Sequence, residues 1–264
     1  MITHYFVTFL TGIAAGTLGG LLGIGGGIIV MPYLRFIVGL PTMYSAGTCI
    51  IAVFFTTFGG SIKHYRLNHI DFRTIVPVIV SGAIMSIVFS LIFPHLKLFS
   101  RWLDLAMGIL FLIISSRMIA EAIWLSNGKK SLLHNNISKS KGKLWQKISI
   151  GSIAGILPGL LGIGTGAILV PAFTFFLGMP IKIAIGSSLA CFSLNALFSS
   201  TLKASQGFVQ WEIAIPIAIG AFIGATIGAK LNKIFSSKIL HLIFGIVFLY
   251  VSAKFIILFW GVKI

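Results

Sequence analysis

Acidic residues are almost missing from this chain. Asp71, Asp104, Glu121 and Glu212 are the only four in 264 residues. Paired carboxylates for acid–base chemistry, an H-E-x-x-H zinc site and a Ser-His-Asp set all need acids that the sequence does not assemble. An enzyme is therefore not expected. Asp71 and Glu212 stand at the starts of apolar stretches, where an acid stabilises a helix N-terminus. Glu121 is four residues from Arg117 and is expected to pair with it. Little is left for a carboxylate proton relay. Cysteine is as scarce. Cys49 and Cys191 form no C-x-x-C pair and both fall in apolar runs, so metal and redox readings are weak and no cofactor is expected. Charge of either sign reaches only 9%, against about 25% in a soluble domain. That is too little polar surface to cover a soluble globule of this length.

In place of charge stands apolar sequence, 57% of the chain. Runs near the length of a membrane span recur at Thr74–Phe93, Leu103–Leu125, Ile213–Lys230 and Ile239–Trp260; a spanning helix needs about 20 such residues. The pattern predicts an all-α polytopic membrane protein in contact with the lipid bilayer. The net charge of +16 does not point to nucleic acid, because the lysines and arginines lie between apolar runs and no nucleic-acid motif appears. It fits cytoplasmic loops enriched in Lys and Arg. The opening "MITHYFVTFLTGIAAG" lacks a basic n-region and reads as mature chain rather than a removed signal.

The chain is written twice. At an offset of 159 − 20 = 139, Gly20–Gly25 (GLLGIG) meets Gly159–Gly164 (GLLGIG), Pro32 meets Pro171 and Pro77 meets Pro216. Further on the register slips by two, so that Gly108 meets Gly245. Matched glycines and prolines over more than sixty residues predict two structural repeats. The expected organisation is a first repeat over 1–125, a basic cytoplasmic linker over 126–147 and a second repeat over 148–264. Each repeat holds about four apolar stretches, the first of them (His4–Val38 in the first copy) too long for one span and divided by glycines. If that stretch turns back on itself, the crossings per repeat are odd and the repeats are inverted. With the linker inside, odd parity also places Lys63, Arg66, Arg73, Lys182, Lys230, Lys233 and Lys238 inside. Even parity moves Lys230, Lys233 and Lys238 outside. The basic residues thus favour inverted repeats with both termini outside.

The broken stretches, "GGLLGIGGGIIVMP" and "PGLLGIGTGAILVP", are oily and full of glycine at once. In lipid every backbone N–H and C=O needs a partner, so broken backbone must lie inside protein or line a cavity. Inverted-repeat transporters place such discontinuous helices at their binding site, and a helix N-terminus favours an anion. Gly23, Gly25, Gly26 and Gly27 in one break, with Gly162, Gly164, Thr165 and Gly166 in the other, are the candidate cradle for a small anion. The competing reading, glycines that only allow tight helix crossings, suits Gly12, Gly16 and Gly20 best. Neither break carries the G-K-[ST] ending of a P-loop. Ser188, Cys191, Asn195 and Ser199 form a polar stripe on one helix face. Ser187, Ser188 and Asn195 join the candidate site, with Thr56 as Asn195's counterpart (195 − 139 = 56). An interhelical hydrogen bond is the plainer role for Asn195. Lys203 and His64 also correspond (203 − 139 = 64) and are expected as interfacial anchors, or as basic residues at each mouth.

Two copies of G-x-L-x-G-L-L-G-I-G-x-G followed by a proline, at Gly16–Pro32 and Gly155–Pro171, resemble the TauE/SafE family of sulfite and sulfonate exporters. The resemblance extends over "HIDFRTIVPVIVSGAIMS" and "FVQWEIAIPIAIGAFIGATIGA". It implies a secondary transporter of sulfite or organosulfonates in a bacterial inner membrane. Thr56 opposite Asn195, and Gly19 opposite Pro158, make the two half-sites unequal. A homodimer is compatible with this reading. The alternative is a membrane-embedded scaffold or assembly factor without transport activity.

Overall fold

The computed structural model describes residues 2–126, 142–231 and 237–260. Most of the expected basic linker, Lys233 and the side chains of Glu121 and Lys238 lie outside the described residues, so the expectations on them are not tested. The described residues are helical and contain no strand. The helices are α1 (Ile2–Leu22), α2 (Gly27–Pro32, running into a π-helical turn over Tyr33–Ile37), α3 (Thr42–Arg66), α4 (Phe72–Ile92), α5 (Ser100–Ser126), α6 (Leu144–Leu161), α7 (Gly166–Phe175), α8 (Ile181–Ser205), α9 (Trp211–Leu231) and α10 (Ser237–Phe259). Seven helices among the described residues are long and apolar enough to cross a membrane. Each expected first stretch is thus two helices, α1 with α2 and α6 with α7.

Two compact units result, each drawing on both halves of the sequence: Met1–His95 with Asn136–Lys233, and Leu96–Asn135 with Ile234–Ile264. In the larger unit α1 packs on α9 and α4 on α6. Both pairs are parallel and close because glycine removes the side chain at the crossing. Gly12, Gly16 and Gly20 lie against the backbone of Ile217, Ala221 and Ala225, while Gly151 and Gly155 lie against Val78 and Gly82. A Cβ at any of these would strike main-chain atoms, so the tight-crossing role expected of Gly12, Gly16 and Gly20 is what the structure shows.

Helices α3 and α8 occupy equivalent places in the two repeats and run antiparallel. Gly186 near the start of α8 lies against His64 and His69, at and just past the end of α3, and Gly47 near the start of α3 lies against Phe208 just past the end of α8. Their polar ends close the unit in matching ways. Thr48 Oγ1 accepts the Gln210 N–H (3.0 Å) and Ser187 Oγ accepts the Asp71 N–H (3.1 Å), with both partners 139 residues apart. Asp71 also caps α4, as expected of an acid at that position, taking the Thr74 N–H (3.3 Å) and hydroxyl (2.7 Å).

In the smaller unit α5 and α10 form an antiparallel pair. Ser115 Oγ donates to the Gly245 carbonyl (2.7 Å) and Ser252 Oγ to the Gly108 carbonyl (2.8 Å). These two bonds are mates at an offset of 137, the slipped register read from the sequence.

The larger unit turns apolar side chains outward and buries polar ones within its core. Val76, Val80 and Ile84 on α4, and Ile215, Ile219 and Ile223 on α9, recur at spacing four and are exposed. Thr48, Thr56, Thr57, Ser188, Asn195, Ser199 and Lys203 are wholly buried. Water would not sustain that arrangement, because exposed apolar area costs about 25 cal/mol per Å². Lipid does.

Candidate substrate site at the paired helix breaks

The first break turns the chain back. Gly23, Gly25 and Gly26 take φ of 75°, 79° and 70°, the left-handed region that glycine enters without a Cβ clash. After the turn Gly26 lies against Ala15, and the Tyr33 hydroxyl lies 3.0 Å from the Thr8 hydroxyl. The π-helical extension of α2 thus returns along α1. In the second break Gly162, at φ 66°, ends α6 and gives its N–H to the Pro158 carbonyl (3.3 Å). The chain resumes as α7 at Gly166.

The two breaks meet. Gly164 lies against the Ile24 carbonyl, Gly166 against the Gly23 carbonyl, and Gly27 against Ile163 and Gly164. The backbones touch without side chains between them, which explains the glycines at 164 and 166, where φ is not positive.

The halves differ in what they offer. Both resume alike, with the N–H groups of Ile29 and Val30 taken by the Gly26 carbonyl (3.1 and 3.3 Å) and those of Ile168 and Leu169 by the Thr165 carbonyl (2.9 Å each), but only in the first is the next N–H, that of Gly27, taken by the Gly25 carbonyl (2.9 Å). In the second, Thr165 is the N-cap of the ten-residue α7, with φ −99°. An N-cap threonine ordinarily accepts an N–H from the first turn. Thr165 makes no such bond, and its hydroxyl is wholly buried and without a partner. The residue opposite it, Gly26, is left-handed, a conformation threonine would resist.

The stripe on α8 is largely used up by the fold. Ser188 donates to the carbonyls of Gly23 (3.2 Å) and Ile185 (2.8 Å), tying α8 to the first break. Ser199 donates to the Pro158 carbonyl (2.8 Å). Thr56 donates to Ala52 of its own helix (2.8 Å) and abuts Gly26. Ser187 serves the start of α4. Asn195 is different. It is wholly buried, and neither its amide nitrogen nor its oxygen has a partner. The interhelical bond expected as its plainer role is not made by the side chain; Ser86 reaches the Asn195 carbonyl instead (2.8 Å). The amide lies beside Gly82, where a Cβ would come within 2.6 Å of its nitrogen. Gln206, further along the chain, leaves its oxygen unpartnered but donates its nitrogen to Ser90 (2.9 Å).

Lys203 and His64 correct the sequence-based expectation. Neither is an interfacial anchor nor stands at an open mouth; both are buried. Lys203 Nζ donates to the carbonyls of Pro158 (2.7 Å) and Gly159 (2.6 Å) and to Ser199 Oγ (3.1 Å), with the Phe93 ring centroid at 4.4 Å. Three donors meet three acceptors. His64 Nε2 sits 3.4 Å from the Gly20 carbonyl, and Gly20 is the counterpart of Gly159. The 139-residue offset that paired Lys203 with His64 also pairs these glycines, and that was the available signal.

A lipid-facing helical bundle with its polar groups turned inward around two broken helices defines a multi-pass membrane protein of the transporter class. The chain belongs to the family described as sulfite exporter TauE/SafE, whose sequence profile matches residues 8–255. It is similar to the probable membrane transporter protein YunE of Bacillus subtilis, at 24% identity over 96% of this chain and 97% of that one. A probable membrane transporter protein of Methanocaldococcus jannaschii is 30% identical over 80% of this chain and 78% of its own. One of Xylella fastidiosa is 28% identical over 98% of each. No solved structure matches the chain.

Proposed function

We propose that this protein is a secondary transporter, in a bacterial inner membrane, of small monovalent sulfur anions such as sulfite or simple organosulfonates. The observation that carries the proposal is the pair of unpartnered polar groups, the Thr165 hydroxyl and the Asn195 amide, wholly buried on α7 and α8. A buried polar group without a partner costs about 1–3 kcal/mol. The oxygens of a ligand would accept from the Thr165 hydroxyl and from the Asn195 amide N–H. The N-terminal end of α7 adds about half a positive charge, so the favoured ligand is an anion. Thr165 and Asn195 bind it directly, and the glycines Gly162, Gly164 and Gly166 shape the turn. Gly23, Gly25, Gly26, Gly27, Ser188 and Thr56 hold the opposite tip.

The repeats are inverted in this reading. Antiparallel packing of the equivalent helices α3 and α8 supports it, as does the return of the first stretch beside α1. Lys63, Arg66 and Lys230 around one cavity support it too, since even parity would put Lys230 on the far side from Lys63. Each hairpin tip then reaches into the bundle from the opposite face, as alternating access requires.

Thermal unfolding of the purified protein with added anions tests the ligand class. Sulfite and methanesulfonate should raise the melting temperature of the wild type, chloride should not, and the shift should be lost in Asn195→Ala with Thr165→Val. No response to any of a wide panel of sulfur anions would refute the assignment and favour a scaffold role.

A further inference from the structure

Helices α3 and α9 run parallel and cross where Phe222 covers Gly59, with the rings of Phe58 and Phe222 6.4 Å apart. Beyond that crossing, toward the C-terminal ends of both helices, a cavity of about 330 Å³ opens. Its walls join two chemistries. Lys63, Arg66 and Lys230 supply three cations, and Phe222, Thr226 and Ile227 supply a mostly apolar floor. The described carboxylates of this unit are engaged or distant. Asp71 caps α4, and Glu212 stands in the first turn of α9, at the opposite end from Lys230. Nothing anionic within the described part of this unit balances the three cations. From the cavity toward the middle of the spans, Phe58, Ile223 and Ile227 present exposed apolar surface, at 43%, 41% and 43%.

We infer that this cavity is a binding site for an anionic phospholipid, with the headgroup phosphate held by Lys63, Arg66 and Lys230 and an acyl chain laid along Phe58, Ile223 and Ile227. Basic pockets between membrane helices bind acidic headgroups by this chemistry. A soluble phosphate would match the cations but not the apolar track that leads away from them. The site joins α3 to α9, and α9 packs in turn on α1, whose end forms the first break. A bound lipid therefore braces the helices that carry one hairpin tip. The inference does not depend on the identity of the transported anion.

Native mass spectrometry of the full-length protein, titrated with phosphatidylglycerol or phosphatidylcholine, tests it. Phosphatidylglycerol should bind saturably and at least tenfold more tightly. The variant Lys63→Gln with Arg66→Gln and Lys230→Gln should lose about 100-fold in that affinity, at about fivefold per cation. A control removing three cations elsewhere, Lys143→Gln with Lys147→Gln and Lys182→Gln, should bind like the wild type. Should the triple variant fail to fold, Lys230→Gln alone, at an exposed position, should still weaken phosphatidylglycerol about fivefold. Equal losses in the pocket and control variants would reduce the site to diffuse surface charge and overturn the inference. Glycerol phosphate competing as well as the intact lipid would overturn the lipid assignment in favour of a soluble anion.

Discussion

The Lys203 ammonium lies 2.6 Å from the carbonyl of Gly159, and His64 stands at the matching place 3.4 Å from the carbonyl of Gly20. Each contact holds the C-terminal end of a helix that breaks a few residues later. The last four carbonyls of a helix have no intrahelical partner, and they carry about half a negative charge. A buried cation answers both needs at α6, and an imidazole does so more weakly at α1. The end of α6 is thereby fixed to α8 and the end of α1 to α3.

Lys203→Met should therefore destabilise the protein by roughly 3 kcal/mol, because hydrogen bonds to a charged group contribute about 1.5–3 kcal/mol and the Gly159 carbonyl is left stranded, while the Pro158 carbonyl keeps the Gly162 N–H and the Ser199 hydroxyl. His64→Phe strands one, at a longer distance, and should cost less. Thermal unfolding in detergent gives the comparison. Equal losses would mean that the ammonium is not the stronger clamp.

Lys203 also enters the charge balance near the second break. The ammonium contributes one positive charge, the end of α6 about half a negative and the start of α7 about half a positive. In the proposed site they would match a monoanion and leave a dianion short. Sulfite transport should rise as pH falls through its second ionisation and the monoanion fills. A sulfonate, a monoanion throughout, should show a flat profile, and sulfate should be transported poorly. A sulfonate rate with the same pH dependence as sulfite would point to a titrating protein group and against the charge argument.

Gly82 leaves space for the Asn195 amide, which a Cβ there would approach within 2.6 Å. Gly82→Ala puts a methyl group against that amide, whose end can swing aside, and 3.1 Å from the Gly151 carbonyl on α6, so stability should fall modestly while substrate affinity falls more. Binding measured by calorimetry should weaken at least fivefold, the equivalent of about 1 kcal/mol. Unchanged affinity in a normally folded Gly82→Ala protein would place the amide outside the site.

Much of the architecture was legible in the sequence. The repeat, both registers, the glycine crossings of α1 and the break positions follow from glycine and proline spacing, because those residues mark backbone events that no side chain can replace. The polar stripe was legible from its spacing, but its division of labour was not. Ser188 and Ser199 bond to carbonyls of the breaks, which are distant in sequence, while Asn195 in the same row bonds to nothing through its side chain. Such partners depend on which helices pack together. The burial of Lys203 was hidden for the same reason: a lysine two residues from a helix end reads as an anchor until the broken end of α6 is brought beside it.

The direction of the repeats is open to a direct chemical test. With the cysteines replaced, a single cysteine at Asn135 should label only from the cytoplasmic side and one added at the C-terminus only from the outside. Labelling of both from one side would make the repeats parallel.

Uptake by proteoliposomes tests the central claim most directly. Wild-type protein should carry radiolabelled sulfite down its gradient, with unlabelled methanesulfonate competing and chloride not. Asn195→Ala, inserted at normal levels, should lower the sulfite kcat/KM roughly 5- to 150-fold, the range that corresponds to about 1–3 kcal/mol. Sulfite flux in Asn195→Ala equal to that of the wild type, or no flux above protein-free liposomes in either, would contradict the account.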